Sequence, residues 1–138
     1  MPNMLAFDAP SREVCVVKRS NTGTPQQAYV LLNDPQFVEA ARVLAEHALR
    51  HSDSSVEGRI RFAFRRLTGR DPEKQERQLL QQALLEQQRT FAQEPERATK
   101  LLQTGARKVE GTPDAVTLAA FTSLAQLILN LDATVWKR

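Results

Sequence analysis

The densest chemistry in the sequence lies between Arg59 and Arg70, where Arg59, Arg61, Arg65, Arg66 and Arg70 put five arginines into twelve positions. At helical spacing Arg59, Arg66 and Arg70 share one flank, Arg61 and Arg65 the other, and Phe62 lies between them. Guanidinium groups beside an exposed aromatic are the elements of a phosphate-binding ridge. The same pattern suits a helix set between neighbours whose carboxylates its arginines meet, because the planar guanidinium fork matches a carboxylate bidentately. A formal net charge of +3 is small for a nucleic-acid module and favours the second reading. Arg59, Arg66 and Arg70 are the candidate anion- or partner-binding residues.

Other candidates are thinner. His47 and His51 stand four apart, with Glu46 and Asp53 close by in sequence. Two ligands do not make a zinc site and nothing dictates a third, so no metal is expected. Cys15 lies near Lys18 and Arg19, which would lower a thiol pKa, but between Val14 and Val16 it also fits a small buried hydrophobe. As the single cysteine it excludes an intrachain disulfide and any multi-cysteine metal site within one chain. The spacings of a c-type haem attachment, a P-loop, a dinucleotide fingerprint, a nucleophile elbow and a zinc-protease helix are all absent. Asp8, Asp34 and Glu39 give no recognisable acid–base pair. No catalytic or cofactor-binding residue is therefore assigned.

The elements that must hold these side chains are marked by a recurring signal, a polar cap followed by proline. It occurs at Thr24-Pro25, Asp34-Pro35, Asp71-Pro72 and Thr112-Pro113. The cap side chain accepts an otherwise unpaired backbone N–H, and proline in the first turn has no N–H to leave unsatisfied. Thr24, Asp34, Asp71 and Thr112 are thus expected structural caps. The spacing predicts helices over 25–32, 35–50, about 56–67, from the Asp71 start to about Phe91, 95–104 and about 113–130. The second carries Phe37, Val38, Ala41, Leu44, Ala45, Ala48 and Leu49 inward, and Glu39, Arg42, Glu46 and Arg50 on its polar side. Ile60, Ala63, Phe64 and Leu67 form the stripe of the third, which Gly69 closes in the left-handed conformation. Leu79, Leu80, Ala83, Leu84 and Phe91 are the inward set of the fourth. The last helix is apolar nearly all round and is expected to be central in a bundle, or to pack on another chain. Residues 1–23 lack helical periodicity; 13–17 could be a short strand without a partner, and the segment reads as an extended arm ending in a loop.

At 138 residues, with 41% hydrophobic and 25% charged residues, this reads as one all-α domain: a compact bundle of five to six helices over 24–138 with an extended arm, 1–23. The N-terminus shows no basic-then-apolar signal pattern. The longest uncharged run, 115–131, has 17 residues with polar members and falls short of the roughly 20 a spanning helix needs.

The run FDAPSREVCVVKRSNTGTPQQAYVLLNDPQFVEAARVLAE, then RIRFAFRRLTGRDP and finally LILNLDATV, resembles a known family over essentially the whole chain. It looks like the C-terminal part of the planctomycete-type domain of unknown function that accompanies cytochrome c-like modules (number fifteen-fifty-three in the unknown-function series). Thr24-Pro25-Gln26, Leu31 to Pro35 and Phe37 to Ala41 are the most specific pieces. Gln26 and Tyr29 stand where the family usually carries leucine, or the segment is shifted by one residue. The resemblance implies a piece of a larger, exported, multidomain protein with haem-binding modules elsewhere, and it brings no catalytic residues.

The leading expectation is a non-catalytic helical structural or interaction module, whose partners are other domains of the parent or another protein. One alternative is a segment that completes an active site or an electron-transfer docking surface in the parent. A second is weak nucleic-acid binding by the Arg59–Arg70 helix. A homodimer is also expected, through the arm 1–23 or the last helix, because that helix demands cover on nearly every side.

Overall fold

The computed structural model describes residues 25–50, 55–109, 111 and 114–131. These are 81% helical, in six helices with no strand. The helices are α1 (Pro25–Asn33), α2 (Pro35–Arg50), α3 (Val56–Thr68), α4 (Lys74–Gln93), α5 (Pro95–Leu102) and α6 (Ala115–Leu129). The arm 1–23 with Cys15, and Thr24, His51, Asp53 and Thr112, lie outside the described residues.

Asp34 makes the corner between α1 and α2. Its N–H donates to the Val30 carbonyl at 2.9 Å, and its Oδ1 accepts the Gln36 N–H at 2.9 Å. One residue thus ends a helix and starts the next, with Pro35 pre-set for the first turn. Ser55 opens α3 by accepting the Gly58 N–H at 3.0 Å. Gly69 closes it at φ 80, where its N–H donates to the Arg65 carbonyl at 2.9 Å. That left-handed turn suits a residue without a Cβ.

Two expected caps are displaced. α4 begins at Lys74, and Glu73, not Asp71, is its N-cap; the Glu76 side chain reaches back to accept the Glu73 N–H at 2.8 Å. The physical reason is competition: Arg61 holds the Asp71 carboxylate from the side of α3. α6 begins at Ala115 rather than 113. Asp114 caps it, taking both the N–H and the hydroxyl of Thr117, at 3.0 and 2.7 Å.

α6 packs against each of the five other helices, and Leu118, Ala119, Ala120, Phe121, Leu124, Ala125 and Ile128 are buried along it. It is the central helix that its all-round apolar sequence demands. Its two buried polar side chains are satisfied: Thr122 donates to the Leu118 carbonyl at 2.8 Å, and Gln126 to the Leu32 carbonyl at 3.0 Å. The second bond ties α6 to α1. Cover comes from Ala45 of α2, Ile60 and Phe64 of α3, Leu80, Leu84 and Phe91 of α4, and Ala98 and Leu102 of α5. Most of the cover that α6 needs is thus provided within one chain, while Leu127 remains 42% exposed.

Two expectations about helix faces fail. Leu79 is 65% exposed rather than inward, because α4 turns Leu80, Leu84 and Phe91 to the core and Leu79 falls a quarter-turn beyond that stripe. Arg42 and Glu46, expected on the polar side of α2, are buried at 0% and 2% exposure. Their burial is part of how α2 holds the α5–α6 connection.

Candidate functional site

Two clusters of charge stand out, one buried and one on the surface. The buried one starts on α2. Arg42 Nη1 donates to Glu46 Oε1 at 3.0 Å one turn on, and its Nη2 donates to the Arg107 carbonyl. One turn before, Glu39 Oε2 accepts the N–H groups of Ala106 and Arg107 at 2.5 and 3.1 Å. These amide bonds, that to Arg107 foremost, hold the Glu39 carboxyl below its ordinary range. Glu39 and Arg42 thereby satisfy three backbone groups of a loop that has no regular partners of its own, and Glu46 holds Arg42 in place. Gly105, at φ 100, allows the approach: a Cβ there would lie 2.8 Å from the Glu39 Cβ.

The surface cluster is built on α3. Its inward stripe of Ile60, Ala63 and Phe64 fixes the rotation of the helix. Arg61 forms a two-point pair with Asp71 at 3.0 and 2.9 Å, and Arg65 reaches the same carboxylate at 4.0 Å. The Arg61 hydrogen bonds hold the Asp71 carboxyl below its ordinary range. Arg70 pairs with Glu76 through both nitrogens, at 2.8 and 2.7 Å, and its guanidinium lies 5.1 Å from the centroid of Phe64. The Glu76 carboxyl is lowered by Arg70, and the Arg70 guanidinium raised in turn. Arg77 of α4 reaches back to Glu57 at 2.8 Å. These pairs lace α3 to the connection after it and to α4.

The three candidate arginines are therefore not equivalent. Arg70 is committed to Glu76 and Phe64. Arg66 lies over Phe62 at 5.9 Å, and no carboxylate among the described residues meets either Arg59 or Arg66. Helical spacing alone grouped Arg70 with Arg59 and Arg66; it could not see that Gly69 turns the chain and brings Glu76 within reach of Arg70. The sequence signal for the buried cluster was the polar, glycine-bounded loop 105–111, whose backbone groups had to find partners somewhere.

Among the described residues, no group of three His, Cys, Asp or Glu side chains is placed to hold a metal ion; His47 is exposed. No described helix is long and apolar enough to cross a membrane.

Fold and site together define a small all-α domain whose charged groups mainly join helices and loops. The family model described as PSD1, "Protein of unknown function (DUF1553)", matches residues 1–84, and the chain belongs to that family. The match takes in α1 to α3 and ends at Leu84 within α4, a shorter span than the resemblance read from the sequence. No curated protein and no solved structure matches the chain.

Proposed function

We propose that this chain is a non-catalytic helical structural or interaction module of a larger, exported, cytochrome c-associated protein, and that it forms the C-terminal part of its family's domain. One observation carries the reading: the carboxylates best placed for acid–base work are engaged in holding the fold. Glu39 binds loop amides, Asp71 binds Arg61, Glu76 binds Arg70 and Asp114 caps α6. Those bonds lower the pKa of each, and they occupy the carboxylate oxygens with structural donors. The link to cytochrome c-like modules rests on the sequence resemblance.

A homodimer would form through the arm 1–23 or through α6, where Leu127 is 42% exposed, with Tyr29 and Leu32 of α1, 68% and 46% exposed, as further apolar surface. Light scattering at high protein concentration decides between monomer and dimer.

The test of the module reading is reassembly. A parent protein lacking this segment is expected to lose stability or assembly, and to recover it when the 138-residue chain is supplied separately. A parent that keeps its assembly but loses a chemical step would overturn the reading and make the segment part of an active site.

A further inference from the structure

Phe62, Arg65 and Arg66 lie on the side of α3 turned away from its Ile60, Ala63 and Phe64 stripe, and Arg59 is half-buried on the flank between the two. An aromatic near the middle of an outward helix face contributes little to its own core. Phe62 is half-buried, and part of its cover comes from Arg66, whose guanidinium stands 5.9 Å from the ring centroid. Arg65 and Arg66 are exposed on either side of it. With Gly69, these three residues line a surface recess of about 420 Å³. Gly69 leaves the end of that recess open, since a Cβ built there would meet nothing within 4 Å.

The charges are asymmetric across the helix. Toward α4, Arg61 and Arg70 are matched by Asp71 and Glu76 in two-point pairs. On the outward face, Arg65 reaches a carboxylate only at 4.0 Å, and Arg66 there and Arg59 on the flank meet none among the described residues. Arginine is the cation most readily buried in an interface, being weakly hydrated and able to stack and pair at once. Arginine and aromatic side chains are also the residues most enriched where protein partners bind.

We propose that this outward face of α3 is the docking surface for an acidic protein partner, one presenting carboxylates around an apolar side chain that meets Phe62; the proposal rests on the interaction-module reading. A protein is favoured over nucleic acid by the short span of the cations. From Arg59 to Arg66 is two helical turns, about 10 Å, which matches a single helix or peptide crossing. The formal net charge of +3 is also small for a nucleic-acid module.

The test uses the full 138-residue chain in fluorescence anisotropy at about 0.15 M salt. The probes are a labelled amphipathic Glu/Leu helical peptide, its Gln/Leu counterpart, and a single-stranded oligonucleotide of the same formal charge as the first. The Glu peptide is expected to saturate, and the Gln peptide to bind about tenfold more weakly or worse. The double variant R65E/R66E changes only exposed side chains, and is expected to lose the Glu peptide by a similar factor with an unchanged circular dichroism spectrum. Lys100→Glu, on α5, is expected to leave binding alone. The proposal is overturned by a Glu peptide that does not saturate, by one that binds R65E/R66E as well as the native chain, or by an oligonucleotide that binds more tightly than the peptide. Reassembly separates the two readings. If native chain and R65E/R66E restore the parent equally well, the module stands and this face is not its docking surface; if neither does, the module reading itself fails.

Discussion

Arg42 and Glu46 form a 3.0 Å ion pair one turn apart on α2, with both side chains almost wholly buried, at 0% and 1% exposure. Removing Glu46 strands the buried Arg42 guanidinium, and removing Arg42 leaves the buried Glu46 carboxylate only the half-exposed Arg50 at 3.8 Å; breaking a buried pair typically costs about 3–5 kcal/mol. Arg42→Ala is therefore expected to be the most damaging single change on α2, and it also frees the Arg107 carbonyl. Replacing both partners by apolar residues of similar size, as in R42M/E46L, is expected to recover much of the loss, because no buried charge is then left unpaired and Arg50 is half-exposed to water. Urea unfolding midpoints of the two variants check this. A single variant as stable as the native chain would mean that water reaches the pair.

Gly105 and Gly69 both have positive φ, 100 and 80, yet they are expected to respond differently to alanine. At Gly69 the added Cβ meets nothing within 4 Å, so only the left-handed backbone is penalised, by roughly 1 kcal/mol. At Gly105 the Cβ is pressed against Glu39 as well, and the loop must shift away from the carboxylate that satisfies its amides. Gly105→Ala is expected to destabilise more than Gly69→Ala, with faster amide exchange at Ala106 and Arg107. Equal losses would show that the loop yields without releasing Glu39.

Acid is expected to destabilise the fold, and the direction follows from the carboxylates. Glu39, Asp71, Glu76 and Asp114 all have folded pKa values lowered from the ordinary 4.5 or 3.8. As pH falls, the unfolded chain takes up these protons first. The stabilisation is therefore fully present above the unfolded values and is lost as pH falls through the lower, folded ones. Unfolding midpoints between pH 7 and pH 3 are expected to be level at first and to drop below about pH 4.5. Glu39→Gln is expected to reduce the drop. Midpoints that stay level to pH 3 would remove these bonds from the account of stability.

Asp34 and Asp71 look alike in sequence, each preceding a proline, but they are expected to give different mutants. Asp34 accepts the Gln36 N–H at 2.9 Å, so Asp34→Ala is expected to cost about 1 kcal/mol through loss of the cap. Asp71 instead joins Arg61 across the surface, with side chains 57% and 47% exposed. Such a pair contributes about 0.2–1 kcal/mol and is screened by salt. Raising the salt concentration is thus expected to erase the effect of Asp71→Ala and to leave that of Asp34→Ala. The same salt response from both would make Asp34 a charge partner rather than a cap.

The sequence by itself determined the helices and the identity of the central one. Local rules suffice for that: Asp34-Pro35 and Gly69 act on their own backbone neighbours, and 115–129 carries apolar residues on nearly every side. Most of the inward stripes were equally legible, from Val38 to Ala48 on α2 and through Ile60 and Phe64 on α3. What only the tertiary structure decided was the fate of the charges. Arg42 and Glu46 read as a solvated ridge until the loop at 105–107, more than sixty residues away, closed over them. Asp71 read as a cap until Arg61 took its carboxylate. Arg59, Arg66 and Arg70 read as one face until the turn at Gly69 delivered Glu76 to Arg70 alone. Helix formation is set by residues within about one turn, whereas a long charged side chain takes whichever partner the packing brings within reach, and that partner is chosen by contacts distant in sequence.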